Sequence, residues 1–310
     1  MTDELYKRYR PKTFKQVLGQ PRAVASLQRF LADGRVPHTI LFSGPSGCGK
    51  TTLARLMADK LGCRGTDLQE INAADFRGID KVRQIRSERD LSPLGGKCRI
   101  YIVDECHRLT GEAQDGFLKL LEDTPEWLYF FLCTTAPNKL LKTIQTRSTP
   151  VWVEPLKSAD MERLLKIVAK KEEAELSEEV RDRIVDVADG SPRMALVILN
   201  QVIGEENEEK RLALIRDADA EAQSIDLCRV LFKGRWRDAA KVLKELDGLD
   251  PEAVRLAVLG YASKVLLGSD GQNGERAFRV IDAFGDNFWN SKRAGLIAAC
   301  WEVFHPEVLS

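Results

Sequence analysis

The 310-residue chain has no excess of either charge sign: 47 Lys plus Arg stand against 47 Asp plus Glu, for a formal net charge of zero. A protein that holds nucleic acid by bulk attraction is strongly basic, so any such contact here must come from a local patch. No apolar run approaches the roughly 18 residues that read as a membrane span. The N-terminal stretch MTDELYKRYRPKTF is polar and lacks the apolar core of a secretion signal. The expectation is a cytoplasmic protein without a membrane partner. The seven cysteines (Cys48, Cys63, Cys98, Cys106, Cys133, Cys228, Cys300) contain no CxxC pair. That spacing argues against a structural zinc site and a disulfide framework, and for reduced thiols inside a cell. His38, His107 and His305 are too dispersed in sequence to suggest a metal site. There is no internal repeat and no low-complexity tail.

What is present is a soluble globular composition, 44% hydrophobic and 30% charged, at a length that suggests two or three domains. Apolar runs at 38–44 (HTILFSG), 99–105 (RIYIVDE), 127–135 (WLYFFLCTT) and 148–155 (STPVWVEP) read as strands. Helical patterns lie between them at 51–61 and 111–123, the second with Ala113, Phe117, Leu120 and Leu121 on one face. Strands alternating with helices predict a mainly parallel sheet covered on both faces. Beyond Leu156 the strand signal disappears. Three amphipathic helices are predicted with starts at Ser158, Ser177 and Ser191, and Gly190 as a stop. The charge run GEENEEKR reads as a solvated helix edge or linker, and 220–310 is helical again, with 224–246 as one helix.

The strongest chemical signal is GPSGCGKT at 44–51, a GxxxxGK[ST] loop between an apolar strand and a helix. Gly44, Pro45, Ser46, Gly47, Cys48 and Gly49 let the backbone wrap phosphates, and the helix beginning near Thr51 and Thr52 turns free N–H groups toward them. Lys50 supplies charge to the β- and γ-phosphates, and Thr51 a hydroxyl to Mg²⁺. At the end of IYIVDE, Asp104 can hold Mg²⁺ through water, and Glu105 can polarise an attacking water. The acidic pair favours hydrolysis over nucleotide storage.

RYRP at 8–11, FKQVLGQ at 14–20, the phosphate loop, NAADFRGID at 72–80 and the DE pair occur in one order. Together they resemble a AAA+ ATPase of the sliding-clamp-loader group: bacterial tau/gamma subunits, small subunits of replication factor C, and phage clamp loaders. The resemblance is detailed over about 1–205 and weaker over 220–310. It implies an α/β P-loop AAA+ domain with a parallel sheet (1–155), a three-helix lid (156–205), a linker (206–219) and an all-α collar (220–310). TTAPNK at 134–139 matches the sensor-1 segment, so the resemblance places Thr135 near the γ-phosphate. IQTRS at 144–148 is similar to the Ser-Arg-Cys segment, with Thr146 and Ser148 in place of its Ser and Cys. Arg147 inherits the role of a finger that reaches the ATP of a neighbouring subunit. GSPR at 190–193 resembles the sensor-2 helix start, implying that Arg193 points at the phosphates of its own subunit. Tyr6 and Arg10 match positions on the base side of the nucleotide.

Segment 80–99 carries six basic residues against three acidic ones. In the family the helix near RGID lines a subunit spiral and tracks DNA, which implicates Lys81, Arg83 and Arg86; Arg77 is a candidate restraint on Glu105. The four-cysteine zinc module that bacterial tau/gamma subunits carry after the P-loop helix is absent. So is a long tail for polymerase or helicase, which leans the resemblance toward phage or replication-factor-C small subunits. The implied function is ATP- and Mg²⁺-dependent opening of a sliding clamp and its placement on primer–template DNA, in a bacterial or phage-infected cell. The partners it implies are the clamp, identical copies and one distinct subunit in a pentameric spiral. Two alternatives stand beside it: another AAA+ DNA remodeller, of the fork-maintenance or branch-migration type, and a non-hydrolysing scaffold subunit.

Overall fold

The computed structural model describes residues 4–75, 78–246, 249–268 and 271–305. Contacts divide the chain into two compact units, 1–204 and 205–310.

The first unit opens with α1 (Leu5–Arg8) and α2 (Pro21–Ala32). Alternation then follows: β1 (Thr39–Ser43), α3 (Lys50–Lys60), β2 (Leu68–Asn72), α4 (Ile79–Glu88), β3 (Arg99–Asp104), α5 (Gly111–Glu122), β4 (Leu128–Thr134), α6 (Lys142–Thr146) and β5 (Thr149–Trp152). The strands form one parallel sheet in the order β2-β3-β4-β1-β5. Successive side chains of a strand point to opposite faces, and here both faces are apolar. Ile40, Phe42, Ile102 and Phe131 pack on one side with Leu53 and Met57 of α3 and Leu27 of α2. Leu41, Tyr101, Val103 and Phe130 pack on the other with Phe117 and Leu120 of α5 and Val82 and Ile85 of α4. Each such buried side chain is worth about 1.5–3 kcal/mol. Strand β2 was not foreseen from the sequence. It is an edge strand in which only Ile71 is buried, so it carries no apolar run.

Helices α7 (Ser158–Lys171), α8 (Glu178–Ala188) and α9 (Pro192–Val202) complete this unit. All three helices start at the expected serines, two of them with the serine as cap. Ser177 Oγ accepts from Val180 N at 3.2 Å, and Ser191 Oγ accepts from Met194 N at 3.3 Å. Ser158 is itself the first helical residue of α7, with Lys157 at the cap position. Asp189 and Gly190, both with left-handed φ (+40° and +72°), end α8.

The second unit is α10 (Glu208–Lys233), α11 (Trp236–Glu245), α12 (Pro251–Gly268), α13 (Gln272–Ala283) and α14 (Lys292–Phe304). Its core gathers Leu227, Leu231, Val254, Val258, Phe284 and Cys300. Two expectations need correction here. The stretch 206–219 is not a linker, because α10 runs through it: Asn207 Oδ1 caps the helix by accepting from Lys210 N at 3.0 Å, and Ile215 and Ala218 are buried. The helix expected over 224–246 is two helices. Gly234 leaves the helical conformation, and Arg235 N–H donates to Asp238 at 3.2 Å to start α11. Among the described residues, no helix is long and apolar enough to cross a membrane. All seven cysteines are buried free thiols.

Candidate nucleotide-binding site

The loop between β1 and α3 is held by glycine. Gly44, Gly47 and Gly49 have φ of +153°, +74° and +102°, conformations costly for other residues. At two of them space is also closed. A Cβ on Gly44 would lie 2.0 Å from the Val153 carbonyl oxygen, and one on Gly47 would lie 2.0 Å from Ser191 Oγ. The loop is therefore pressed against β5's exit and against the start of α9. Cys48 Sγ adds a weak bond to the Gly190 carbonyl at 3.7 Å.

Lys50 is only 5% exposed, and its ammonium donates to the carbonyls of Gly44 (2.9 Å) and Pro45 (2.7 Å). Thr51 Oγ1 donates to Asp104 Oδ2 at 2.9 Å, and Asp104 Oδ1 accepts from Glu105 N at 3.0 Å. A hydroxyl and a carboxylate oxygen side by side are the hard oxygen donors that suit Mg²⁺.

Glu105 sits where β3 ends, with a left-handed φ of +49°. Such a backbone costs about 1–3 kcal/mol and persists only where the surroundings impose it. Its Oε2 accepts from Thr135 Oγ1 at 3.3 Å and lies 3.3 Å from His107 Nδ1. That nitrogen is also 3.0 Å from Thr134 Oγ1. Burial lowers the His107 pKa from its ordinary value, against the opposing pull of Glu105.

A cavity of about 580 Å³ opens beside these groups. It is lined by Ser46 through Leu53, by Asp104 and Glu105, by Tyr6 and Arg10 near α1, and by Arg193 in the first turn of α9. The Arg193 guanidinium lies over the Tyr6 ring, 5.6 Å from its centroid. The fold therefore brings twelve of the expected residues to one cavity wall or its mouth: Tyr6, Arg10, Ser46, Gly47, Cys48, Gly49, Lys50, Thr51, Thr52, Asp104, Glu105 and Arg193. Gly44 and Pro45 face Lys50 from the loop's base. Thr135 reaches the site through Glu105.

Arg147 is elsewhere. It caps the end of α6, outside the cavity lining, with Nη2 2.7 Å from Glu122 Oε1. Lys81, Arg83 and Arg86 lie on α4, whose buried residues are Val82 and Ile85. The basic excess of 80–99 is not one surface, however. Arg99 is 5% exposed and donates to the Glu88 carbonyl at 3.1 Å, and Arg83 pairs with Asp80 (3.3 Å) and Glu112 (3.9 Å). Arg77 lies outside the described residues.

Sequence reasoning missed several cavity residues. Arg8 and Tyr9 both bond Glu172 at the end of α7, and Lys171 lies 5.5 Å from the Tyr9 ring centroid. Arg163 and the half-exposed Ile167 of α7 face the same space. Only an exposed isoleucine on an otherwise amphipathic helix could have hinted at them. His107, three residues after Asp104, is another residue beside Glu105 that its sequence position did not single out.

Residues 19–75 and 66–157 match the family described as DNA polymerase III, delta subunit. The gamma/tau subunit of DNA polymerase III from Mycobacterium tuberculosis is 33% identical over 222 residues, covering 64% of this chain and 38% of that protein. The tau subunit of Bacillus subtilis is 30% identical over 289 residues, covering 85% of this chain and 51% of that protein. This chain thus spans about half, or less, of the relatives it matches. Among solved structures, a Thermotoga maritima RuvB described as a Holliday junction branch migration motor superposes with a TM-score of 0.57 at 20% identity, covering 76% of this chain and 85% of that one. At that identity the likeness speaks for the fold alone. With the phosphate loop, the acidic pair at the end of β3 and the helices α7–α9 around one cavity, the chain has an α/β AAA+ fold and is similar to the gamma/tau subunits of bacterial DNA polymerase III.

Proposed function

We propose that this chain is an ATPase subunit of a DNA sliding-clamp loader, working in the cytoplasm of a bacterial or phage-infected cell. The observation that carries the reading is the convergence of Lys50, the Thr51–Asp104 pair and Glu105 on one cavity. ATP enters with its phosphates in the glycine-bounded loop. A phosphate oxygen replaces the loop carbonyls as acceptor for Lys50, and Arg193 closes from α9. Thr51 and Asp104 would hold Mg²⁺, which when bound neutralises charge on the phosphate oxygens. Glu105, oriented by Thr135 and His107, takes the proton of the attacking water. Catalysis is positioning and charge stabilisation, without a covalent intermediate.

Arg147 serves the ATP of an adjacent subunit, and its place outside its own chain's cavity supports that assignment. ATP then holds neighbouring subunits in a pentameric spiral of like copies and one distinct subunit, able to grip an opened clamp. Primer–template DNA runs along Lys81, Arg83 and Arg86, and hydrolysis releases clamp and DNA. The test is the ATPase rate of the assembled complex with clamp, primed DNA, both or neither. A rate that rises fully only with both supports the reading. A rate stimulated by junction or duplex DNA and indifferent to the clamp points to another AAA+ remodeller, and no hydrolysis under any condition to a scaffold subunit.

A further inference from the structure

A second cavity, of about 590 Å³, lies within the helical unit 205–310, where the end of α10, the start of α11, α13 and the end of α14 meet. Its charge is one-sided. Lys233, Arg235, Arg276 and Arg279 line it, against Glu275 alone. Among the described residues, none of the four cations has a carboxylate within 4.0 Å. Arg276 is the most constrained of them. Its Nε donates to the Leu231 carbonyl at 2.8 Å, and its guanidinium lies over the Phe304 ring, 4.9 Å from the centroid. Burial, and then the neighbouring Arg279 charge, lower its pKa from the ordinary guanidinium value. Two guanidinium groups near each other, with Glu275 the one carboxylate of the lining and not paired to either, carry a cost that an anion would relieve.

The aromatic groups nearby are already engaged, which narrows the class of anion. The Phe304 face is covered by Arg276, and Trp236 meets Trp301 edge-on at 4.8 Å while His305 stacks on Trp301 at 3.6 Å. Phe232, the remaining ring of the lining, meets Tyr261 edge-on at 5.4 Å, so each of these rings is already in contact with a neighbour, whereas single-stranded nucleic acid is held in part by stacking on aromatic faces. What remains is an open concavity with fork-shaped donors that match carboxylate oxygens as they match phosphate ones. We propose that this cavity docks an acidic peptide segment of a partner protein through Lys233, Arg235, Arg276 and Arg279. It is distinct from the nucleotide site and needs no ATP.

The experiment uses the full chain and two probes: a fluorescein-labelled hexaglutamate peptide and a labelled dT12 oligonucleotide, each titrated without nucleotide at several salt concentrations. The expected result is saturable peptide binding that weakens with salt and is not displaced by dT12. Arg279→Ala should weaken it at least about tenfold, as expected for losing a charge-assisted bond. Lys233→Ala combined with Arg235→Ala, both at exposed positions, should do the same and covers the case in which Arg279→Ala unfolds the helical unit. Lys60→Ala, in the other unit, should leave binding unchanged. Peptide binding unaffected by the cavity variants, equally reduced by Lys60→Ala, or absent at millimolar peptide would overturn the proposal, as would dT12 binding that the cavity variants abolish. Because the assay involves no nucleotide, its failure leaves the reading of the ATPase site untouched.

Discussion

Lys50 shows how a single residue couples fold to chemistry. A buried ammonium needs acceptors, and here backbone carbonyls of the loop itself supply them. Replacing Lys50 by alanine removes both the charge and the loop's internal bonds. Lys50→Ala should raise the dissociation constant for ATP by about 10–100-fold, the worth of one or two charge-assisted hydrogen bonds. Calorimetric titration measures it, and circular dichroism should show the helices intact. Unchanged affinity would remove Lys50 from the phosphate site. Glu105 makes the complementary point. Its left-handed backbone and two side-chain partners hold the carboxylate in one pose.

At the scale of elements, the phosphate loop depends on what packs behind it. Gly47 touches the cap of α9 so closely that a methyl group has no room, and its φ of +74° is itself unfavourable to alanine. Gly47→Ala should therefore push α9, and Arg193 with it, away from the cavity. ATP affinity should fall at least about tenfold, since the left-handed backbone alone costs roughly 1–2 kcal/mol. A fluorescent nucleotide displacement assay reads this, and native affinity would contradict the contact. A second element-level device is Asp67, fully buried at the entry to β2. Its carboxylate accepts from the backbone N–H groups of Leu94 (3.0 Å), Gly95 (2.7 Å) and Gly96 (2.9 Å), anchoring the loop that leads into β3. Burial alone would raise its pKa, but those bonds and Arg99 more than offset it, leaving the carboxyl below its ordinary value. A depressed folded-state pKa contributes stability that is complete above the unfolded value, near 3.9, and is lost as pH falls through the folded one. Asp67→Asn should cost about 1–3 kcal/mol at pH 7. It should also flatten the fall of the melting temperature below about pH 4. An acid limb identical to that of the parent protein would show that Asp67 is not its source.

For the whole molecule, the placement of Arg147 is decisive. Its ion pair with Glu122 is solvent-exposed, so it contributes only about 0–1 kcal/mol, and Arg147→Ala should scarcely change the melting temperature. ATP binding should survive as well, because Arg147 is not part of its own chain's cavity. Hydrolysis should fall by about 10³–10⁵, the worth of an arginine finger in related P-loop systems. Mixing Arg147→Ala with Glu105→Gln subunits and reassembling them should restore part of the ATPase activity. Some interfaces then pair an intact Glu105 with an intact Arg147. No recovery in verified mixed assemblies would mean that Arg147 does not act across an interface.

Local rules sufficed for much of this. The strand–GPSGCGKT–helix order, the apolar runs of β1, β3, β4 and β5, and the serine caps at 177 and 191 were legible because each depends on neighbours a few residues away. So was the acidic pair at 104–105, which follows directly from an apolar strand. Other features were not legible, because their causes are distant in the chain. The edge strand β2 buries one side chain and owes its conformation to pairing with β3. Arg99 looks like part of a basic surface until the fold seats it beside Asp67 and Glu88. The continuity of α10 through an acidic run is decided by the burial of Ile215 and Ala218, which a count of charges misses. The amino-acid sequence by itself determined where the glycine-bounded loop and the acidic pair lie along the chain. Only the tertiary structure decided which side chains face them, since facing is a matter of packing between elements tens of residues apart, and periodicity within one element carries no record of its neighbour.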